Sequence, residues 1–259
     1  MMERCIIVGA GDFFGMPMET STDDSISKPM EKTTEDSTRK PMEKRPGDLL
    51  IAADAGYENL KKLGIRPDLI VGDFDSMRVR GVKGVTGPVK DLDIFSDAEK
   101  ADYIHHLHDL TIDGIPAQAI DPIKNDPDLL ACVRIGLERG FKEFHLIGGT
   151  GGRIDHSIAN FQILGFLSRQ GCRGYLYTRD QIVTAITDGR QCFGPKKSGY
   201  FSALSLTDES RGVTERGFKY IVTDVTLNNH TPTGLSNEFV GTSAEISVRE
   251  GTLLLIYGQ

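Results

Sequence analysis

The chain has 259 residues, 39% hydrophobic and 26% charged, which is the composition of a globular protein long enough to bury a core in one or two domains. Its 30 Lys and Arg against 37 Asp and Glu leave a formal charge of −7, which argues against a nucleic-acid backbone binder, since such proteins carry a basic stripe. No apolar run reaches the ~18 residues of a membrane span. No secretory-signal pattern precedes the first strand-like segment, and the four cysteines (Cys5, Cys132, Cys172, Cys192) fit no zinc or CxxC spacing, so a cytoplasmic protein with reduced thiols is expected.

In chain order, residues 5–8 and 49–53 are short continuous apolar runs, as expected for parallel strands covered on both faces. Between them, residues 16–45 are rich in Ser, Thr, Lys, Glu and Asp and repeat Lys28-Pro29-Met30-Glu31-Lys32 as Lys40-Pro41-Met42-Glu43-Lys44. That stretch carries too little apolar surface to offset the entropy of ordering it, and it is read as a disordered insertion. Gly9-Ala10-Gly11-Asp12-Phe13-Phe14-Gly15 looks like a dinucleotide-binding loop, but its third glycine comes one position late and it leads into the insertion, so it is discounted. Residues 57–63 form a short helix stopped by Gly64, and residues 69–71 a third strand. Residues 77–123 show no legible pattern, and their His105-His106-x-His108 run is read as incidental.

Asp126 as N-cap and Pro127 as first helical residue open a helix with an apolar stripe of Leu129, Leu130, Val133 and Leu137, closed by Gly140. Residues 144–147 form a strand that feeds a glycine loop and then a buried helix, 154–169. The alternation of strands and helices predicts an α/β domain with an open, mainly parallel sheet. Past Thr178 the segments 182–186, 200–206, 219–227, 244–248 and 253–257 are short and β-prone, and they predict an all-β sandwich or barrel. The expected domains are 1–178 and 179–259.

Four segments could carry chemistry. In Gly72-Asp73-Phe74-Asp75-Ser76, at a strand end, Asp73 and Asp75 lie two residues apart and on an extended chain project together into the crevice beyond the sheet. Two hard carboxylates suit Mg²⁺; the bland reading is a solvated turn. Gly148-Gly149-Thr150-Gly151-Gly152-Arg153-Ile154-Asp155-His156 joins a strand to a helix. Its glycines admit a bulky anion, the helix start offers N–H groups, and Arg153 can grip phosphate, although the P-loop ending is missing. Lys124-Asn125-Asp126-Pro127-Asp128 is explained as well by helix capping, and Asp54 in Ala53-Asp54-Ala55-Gly56 taken singly reads as a turn residue.

Together and in this order, these motifs resemble those of the thiamine pyrophosphokinase (thiamine diphosphokinase) family. Ala53 to Gly56 stands for the family's Ala-Asp-Gly-Gly, Gly72 to Ser76 is its Gly-Asp-Phe-Asp-Ser, and Gly148 to Asp155 its Gly-Gly-x-x-Gly-Arg-x-Asp. Leu235-Ser236-Asn237-Glu238-Phe239 matches its Ser-Asn element, ahead of Gly251-Thr252-Leu253-Leu254. The resemblance spans nearly the whole chain outside the insertion. It implies an α/β catalytic domain followed by a β-sandwich that binds thiamine, in a homodimer whose active sites are shared between subunits. It also implies transfer of the terminal diphosphate of ATP to the hydroxyl of thiamine, giving thiamine diphosphate and AMP. By matched position, Asp73, Asp75 and Asp128 would hold Mg²⁺. Asp54, Lys124, Gly149, Gly152, Arg153 and Asp155 would surround the ATP diphosphate, and Ser236 and Asn237 would meet thiamine. The family's Lys/Gln-Asp-x-Thr-Asp is here Lys124-Asn125-Asp126-Pro127-Asp128, one carboxylate having become an amide. The competing readings are a thiamine- or nucleotide-binding protein without turnover, and a Mg-dependent phosphatase of the haloacid dehalogenase type with Asp73 as nucleophile.

Overall fold

The computed structural model describes residues 2–17, 42–72, 110–120, 127–196 and 198–258. The chain divides into two compact units, residues 1–13 with 44–160 and residues 14–43 with 161–259. Among the described residues no helix is long and apolar enough to cross a membrane.

The first unit holds β1 (Arg4–Val8), β2 (Leu49–Ala53), α1 (Gly56–Lys62), β3 (Leu69–Gly72), β4 (Leu110–Ile112), β5 (Ile115–Ala119), α2 (Asp128–Glu138), β6 (Glu143–Ile147) and the start of α3 (Ile154–Arg169). Its strands run in the order β6-β1-β2-β3-β5-β4. The first five are parallel, and β4 folds back antiparallel on β5, so the sheet is mixed. Every residue of β1, β2, β3 and β6 is buried, as expected of strands covered on both faces. Ile6, Ile7, Ile51, Ile70 and Leu146 are wholly buried, and each contributes about 1.5–3 kcal/mol of burial free energy.

Three local expectations change. Pro127 has ψ 150°, outside the helical region, so it stands at the cap of α2 and the helix begins at Asp128; Asp126 lies outside the described residues. The helix expected to be buried, α3, exposes its first turn and a half, with Ile154 at 74% and Ile158 at 52% exposure, and has its buried positions only from Asn160 onward. The unreadable stretch contains a hairpin, β4–β5, turned by Asp113 (φ 52°) and Gly114 (φ 72°). Asp-Gly is a strong two-residue hairpin signal because both positions need positive φ. The histidine run at 105–108 lies outside the described residues.

The second unit contains β7 (Arg173–Tyr177), β8 (Gln181–Thr187), β9 (Arg190–Phe193), β10 (Tyr200–Ser205), β11 (Glu209–Arg216), β12 (Val222–Asn228), β13 (Asn237–Glu238), β14 (Ala244–Ser247) and β15 (Thr252–Gly258). They form two antiparallel arrays, β13-β10-β15-β8-β7 and β12-β11-β14-β9. An aromatic cluster joins the arrays: Phe193 on β9 meets Phe201 on β10 at 5.6 Å and Tyr257 on β15 at 5.0 Å, both edge to face, with Phe218 and Phe239 packed beside them. All four cysteines are free thiols. Burial pushes Cys5 up to about 12 and Cys132 well above its ordinary value, so both are inert packing groups.

Candidate active site

Because β6, β1, β2 and β3 are parallel neighbours, the loops that leave their C-terminal ends gather along one edge of the first unit's sheet. Two of these loops are laced together by main-chain hydrogen bonds. Gly9 N donates to Ile147 O (2.7 Å), Gly11 N to Gly148 O (2.8 Å) and Asp12 N to Thr150 O (2.6 Å). The approach needs glycine on both sides: a Cβ on Gly11 would lie 2.2 Å from the Thr150 carbonyl oxygen, and Gly148 has φ 66° with a Cβ position 2.7 Å from Gly9 O. Asn160, buried on α3, donates from Nδ2 to Gly149 O at 2.6 Å. The glycine loop is thus held from both sides, while Gly152 at its open end has nothing within 4 Å of its Cβ position.

Asp54 follows β2 in the left-handed region (φ 45°) and is buried. Its N–H donates to Val71 O on β3, and its carbonyl accepts from Tyr57 N in α1. Gly72, the last residue of β3, packs its Cα face on Asp54, where a Cβ would lie 3.1 Å from Asp54 Cα. Asp128 opens α2 and is half-buried, and the next residue, Leu129, packs on Gly9 at the same sheet edge. Arg153 and Asp155 are both exposed and paired with each other, Nη2 to Oδ2 at 2.6 Å. The hydrogen bond to Arg153 holds the Asp155 carboxyl below its ordinary value, and the same bond raises Arg153.

The second unit places Ser236 and Asn237 at the start of β13. Ser236 is in the left-handed region (φ 62°), with its N–H donating to Ser202 Oγ at 3.1 Å. Asn237 is buried: Oδ1 accepts from Tyr220 N (3.0 Å) and Glu238 N (2.9 Å), and Nδ2 donates to Glu215 Oε2 (2.6 Å) and Tyr220 O (2.8 Å). Asn237, Tyr220 and Glu215 border a pocket of about 360 Å³ with walls from Val213, Val222, Val225, Leu227 and Leu235, Glu215 and Asn237 being its buried polar members; Ser236 is not part of its lining.

Asp73, Asp75 and Lys124 lie outside the described residues, and among the described residues no group of three or more His, Cys, Asp and Glu could hold a metal. Sequence reasoning missed three features. The Gly9–Gly11 turn was tested only as a dinucleotide loop; its two closely spaced glycines after a buried strand were the signal for a close backbone approach. Asn160 reads as one polar residue on an apolar helix face. Glu215 sits in β11, where a register shift between Ser210 and Val213 hides the alternation that marks it as inward-facing.

A glycine-rich strand-to-helix loop at the C-terminal edge of a parallel sheet is the kind of place where α/β proteins bind phosphate-bearing ligands. The family model "Thiamin pyrophosphokinase, catalytic domain" matches residues 44–176, and "Thiamin pyrophosphokinase, vitamin B1 binding domain" matches residues 191–253. The chain belongs to the thiamin pyrophosphokinase family. Its activity is that of a thiamine diphosphokinase, ATP-dependent and thiamine-binding. Among curated relatives, thiamine pyrophosphokinase of Bacillus subtilis (strain 168) is 23% identical over 209 residues, covering 80% of this chain and 86% of that one. Solved thiamine pyrophosphokinase structures share the fold. That from Bacillus subtilis has a TM-score of 0.69 at 19% identity, covering 99% of both chains. That from Geobacillus thermodenitrificans gives 0.66 at 20%, covering 99% of this chain and 97% of the other. The yeast enzyme gives 0.61 at 14%, covering 99% of this chain and 86% of the other.

Proposed function

We propose that the first unit's sheet edge binds the ATP diphosphate and that the pocket beside Asn237 binds thiamine, within a catalytic domain of residues 1–178 and a β-sandwich domain of residues 179–259. The domain limits are supported by the family matches, which end at 176 and resume at 191. The observation that carries the nucleotide reading is the doubly anchored glycine loop, fixed by β1 on one side and Asn160 on the other. A loop held in place before substrate arrives need not be reorganised to stabilise phosphate charge.

In this account the hydroxyl oxygen of thiamine attacks the β-phosphorus of ATP in line. The new O–P bond forms as the bond from the β-phosphorus to the α,β-bridging oxygen breaks, AMP leaves with that oxygen, and the hydroxyl proton passes to solvent. The loop around Gly149 and Gly152 lets backbone N–H groups approach the phosphates, and Arg153 moves from Asp155 to grip phosphate oxygens. Asp155 holds the Arg153 guanidinium at the mouth of the loop before substrate arrives. Asp54 and Lys124 flank the diphosphate. Hard carboxylate oxygens suit a small divalent ion, and Asp73, Asp75 and Asp128 would hold Mg²⁺. The chemistry such an ion would supply is neutralisation of charge on the transferred phosphates. The reading extends to a cytoplasmic homodimer with active sites shared between subunits, as the family resemblance implies.

The test is purified protein with ATP, Mg²⁺ and thiamine, resolving AMP, ADP, inorganic phosphate and thiamine diphosphate. The expected result is AMP and thiamine diphosphate in equal amounts, with no AMP when thiamine is omitted. Phosphate release without thiamine would overturn the reading in favour of a phosphatase, and binding without products would overturn it in favour of a non-catalytic binder.

A further inference from the structure

The amide of Asn237 has no capacity left for a ligand. An amide side chain offers two N–H donors and an oxygen with two lone pairs, and all four are used: Oδ1 by Tyr220 N and Glu238 N, Nδ2 by Glu215 Oε2 and Tyr220 O. Its orientation is dictated, because flipping the amide would set donor against donor at two backbone N–H groups and acceptor against acceptor at Tyr220 O and Glu215. Asn237 is therefore a bracket. It ties the segment at Tyr220 to β13, and it holds one oxygen of Glu215.

Glu215 is the buried acid of this pocket, 5% exposed, with apolar walls on several sides. Asn237 Nδ2 occupies Oε2, and among the described residues no cationic side chain bonds the carboxyl. Burial pushes the Glu215 carboxyl above its ordinary value, and the bond from Asn237 offsets part of that. A buried carboxyl with one donor is stabilised by any ligand that brings a second N–H.

We propose that Glu215 is the specificity-determining residue of the thiamine pocket, its second oxygen accepting the amino N–H of the aminopyrimidine ring, with Asn237 as its positioning residue. This rests on the reading of that pocket as the thiamine site. An acceptor-only group in an apolar wall rewards an amino substituent and repels a carbonyl in the same place, so oxythiamine, which has an oxo group there, is the discriminating ligand.

The test is calorimetric titration of the full-length protein with thiamine and oxythiamine, alongside the AMP-forming assay. The wild-type protein should bind thiamine about a hundredfold more tightly than oxythiamine. Glu215→Gln should reverse the order of preference: the Asn237 Nδ2 donor draws the introduced carbonyl to itself, so the pocket is presented with an amide N–H₂, which favours an oxo group. ATP affinity should not change. Retention of the wild-type preference by a folded Glu215→Gln protein would overturn the inference. Should that variant fail to fold, equal affinity of the wild-type protein for the two ligands would overturn it. Thiamine-dependent AMP formation with no discrimination sinks the Glu215 assignment alone, whereas absence of any thiamine-dependent product sinks the pocket reading with it.

Discussion

Asn160 Nδ2 donates to the Gly149 carbonyl at 2.6 Å, tying the second turn of α3 to the loop that introduces the helix. Both groups are buried. Asn160→Ala leaves that carbonyl without its side-chain donor and should cost about 1–3 kcal/mol. A lower melting temperature together with a raised KM for ATP is the expected result. An unchanged KM for ATP would separate the loop from nucleotide binding.

Two glycines of the same edge should respond oppositely to one methyl group. Gly11→Ala drives a Cβ to within 2.2 Å of Thr150 O, so the two laced loops must part and the protein should lose stability measurably by thermal melting. Gly152→Ala meets no atom within 4 Å and should leave the melting temperature unchanged. Its KM for ATP should rise if, as proposed, the phosphates approach the loop at this open end. Steady-state kinetics and calorimetry on the pair give both readouts.

Arg153→Lys keeps the charge and loses the planar fork. With the Arg153–Asp155 pair fully at the surface, stability should not change. The value of kcat/KM for ATP should fall by about tenfold or more, the loss of one charge-assisted phosphate contact.

The carboxylates give the sharpest test of the metal. Asp73→Asn, Asp75→Asn and Asp128→Asn should each lower kcat by about a hundredfold or more. Chelation of the wild-type protein should abolish turnover, and added Mg²⁺ should restore it. Near-normal kcat in any one variant removes that residue from the ligand set.

Away from the site, the first unit holds a buried ionic group. Arg4 binds Asp48 through Nε (3.0 Å), Nη2 (2.5 Å) and its backbone N–H (2.9 Å), and Arg45 N adds a further bond. Burial alone would raise the Asp48 carboxyl; the bonds from Arg4 and Arg45 outweigh it and hold it below its ordinary value. His145, beside Glu143 at 3.1 Å, is lowered by burial with Glu143 opposing, so it is neutral and the contact is a hydrogen bond. Both folded-state values lie below the unfolded ones, so stability is full at neutral pH. It should decline first as pH falls below about 6.5, where an unfolded histidine takes up a proton, and again below about 3.9 for the aspartate. His145→Gln should flatten the first decline in a melting-temperature profile. Arg4→Met, which leaves Asp48 buried without its cation, should cost about 3–5 kcal/mol.

Much of the first unit was legible because its strands are buried on both faces and read as unbroken apolar runs, as in Cys5-Ile6-Ile7-Val8. The edge hairpin β4–β5 was not, since strands of three and five residues carrying Pro116 and Gln118 have too few apolar positions to stand out, although Asp113-Gly114 marked the turn. Strand β12 starts at Val222, three residues later than the expected segment 219–227, because Tyr220 spends its N–H and C=O on the Asn237 side chain. That capture is a tertiary event with no local signal. The site motifs were visible as short strings of glycine and aspartate at strand ends. What no string contains is the partner that fixes each: Gly11 for the glycine loop, Asn160 for Gly149, and Glu215 for Asn237.

The lacing of the turn after β1 to the loop after β6 also sets an order of events. The residues that bond each other, Gly9 with Ile147 and Gly11 with Gly148, are separated by more than half the chain, so the nucleotide loop cannot take its shape from its own sequence. Such long-range closure is slow and comes late in folding. During synthesis the first strand must wait, solvent-exposed or held by other contacts, until β6 has been made. The shape of the glycine loop therefore depends on a strand made near the start of the chain and a strand made past its middle being present together.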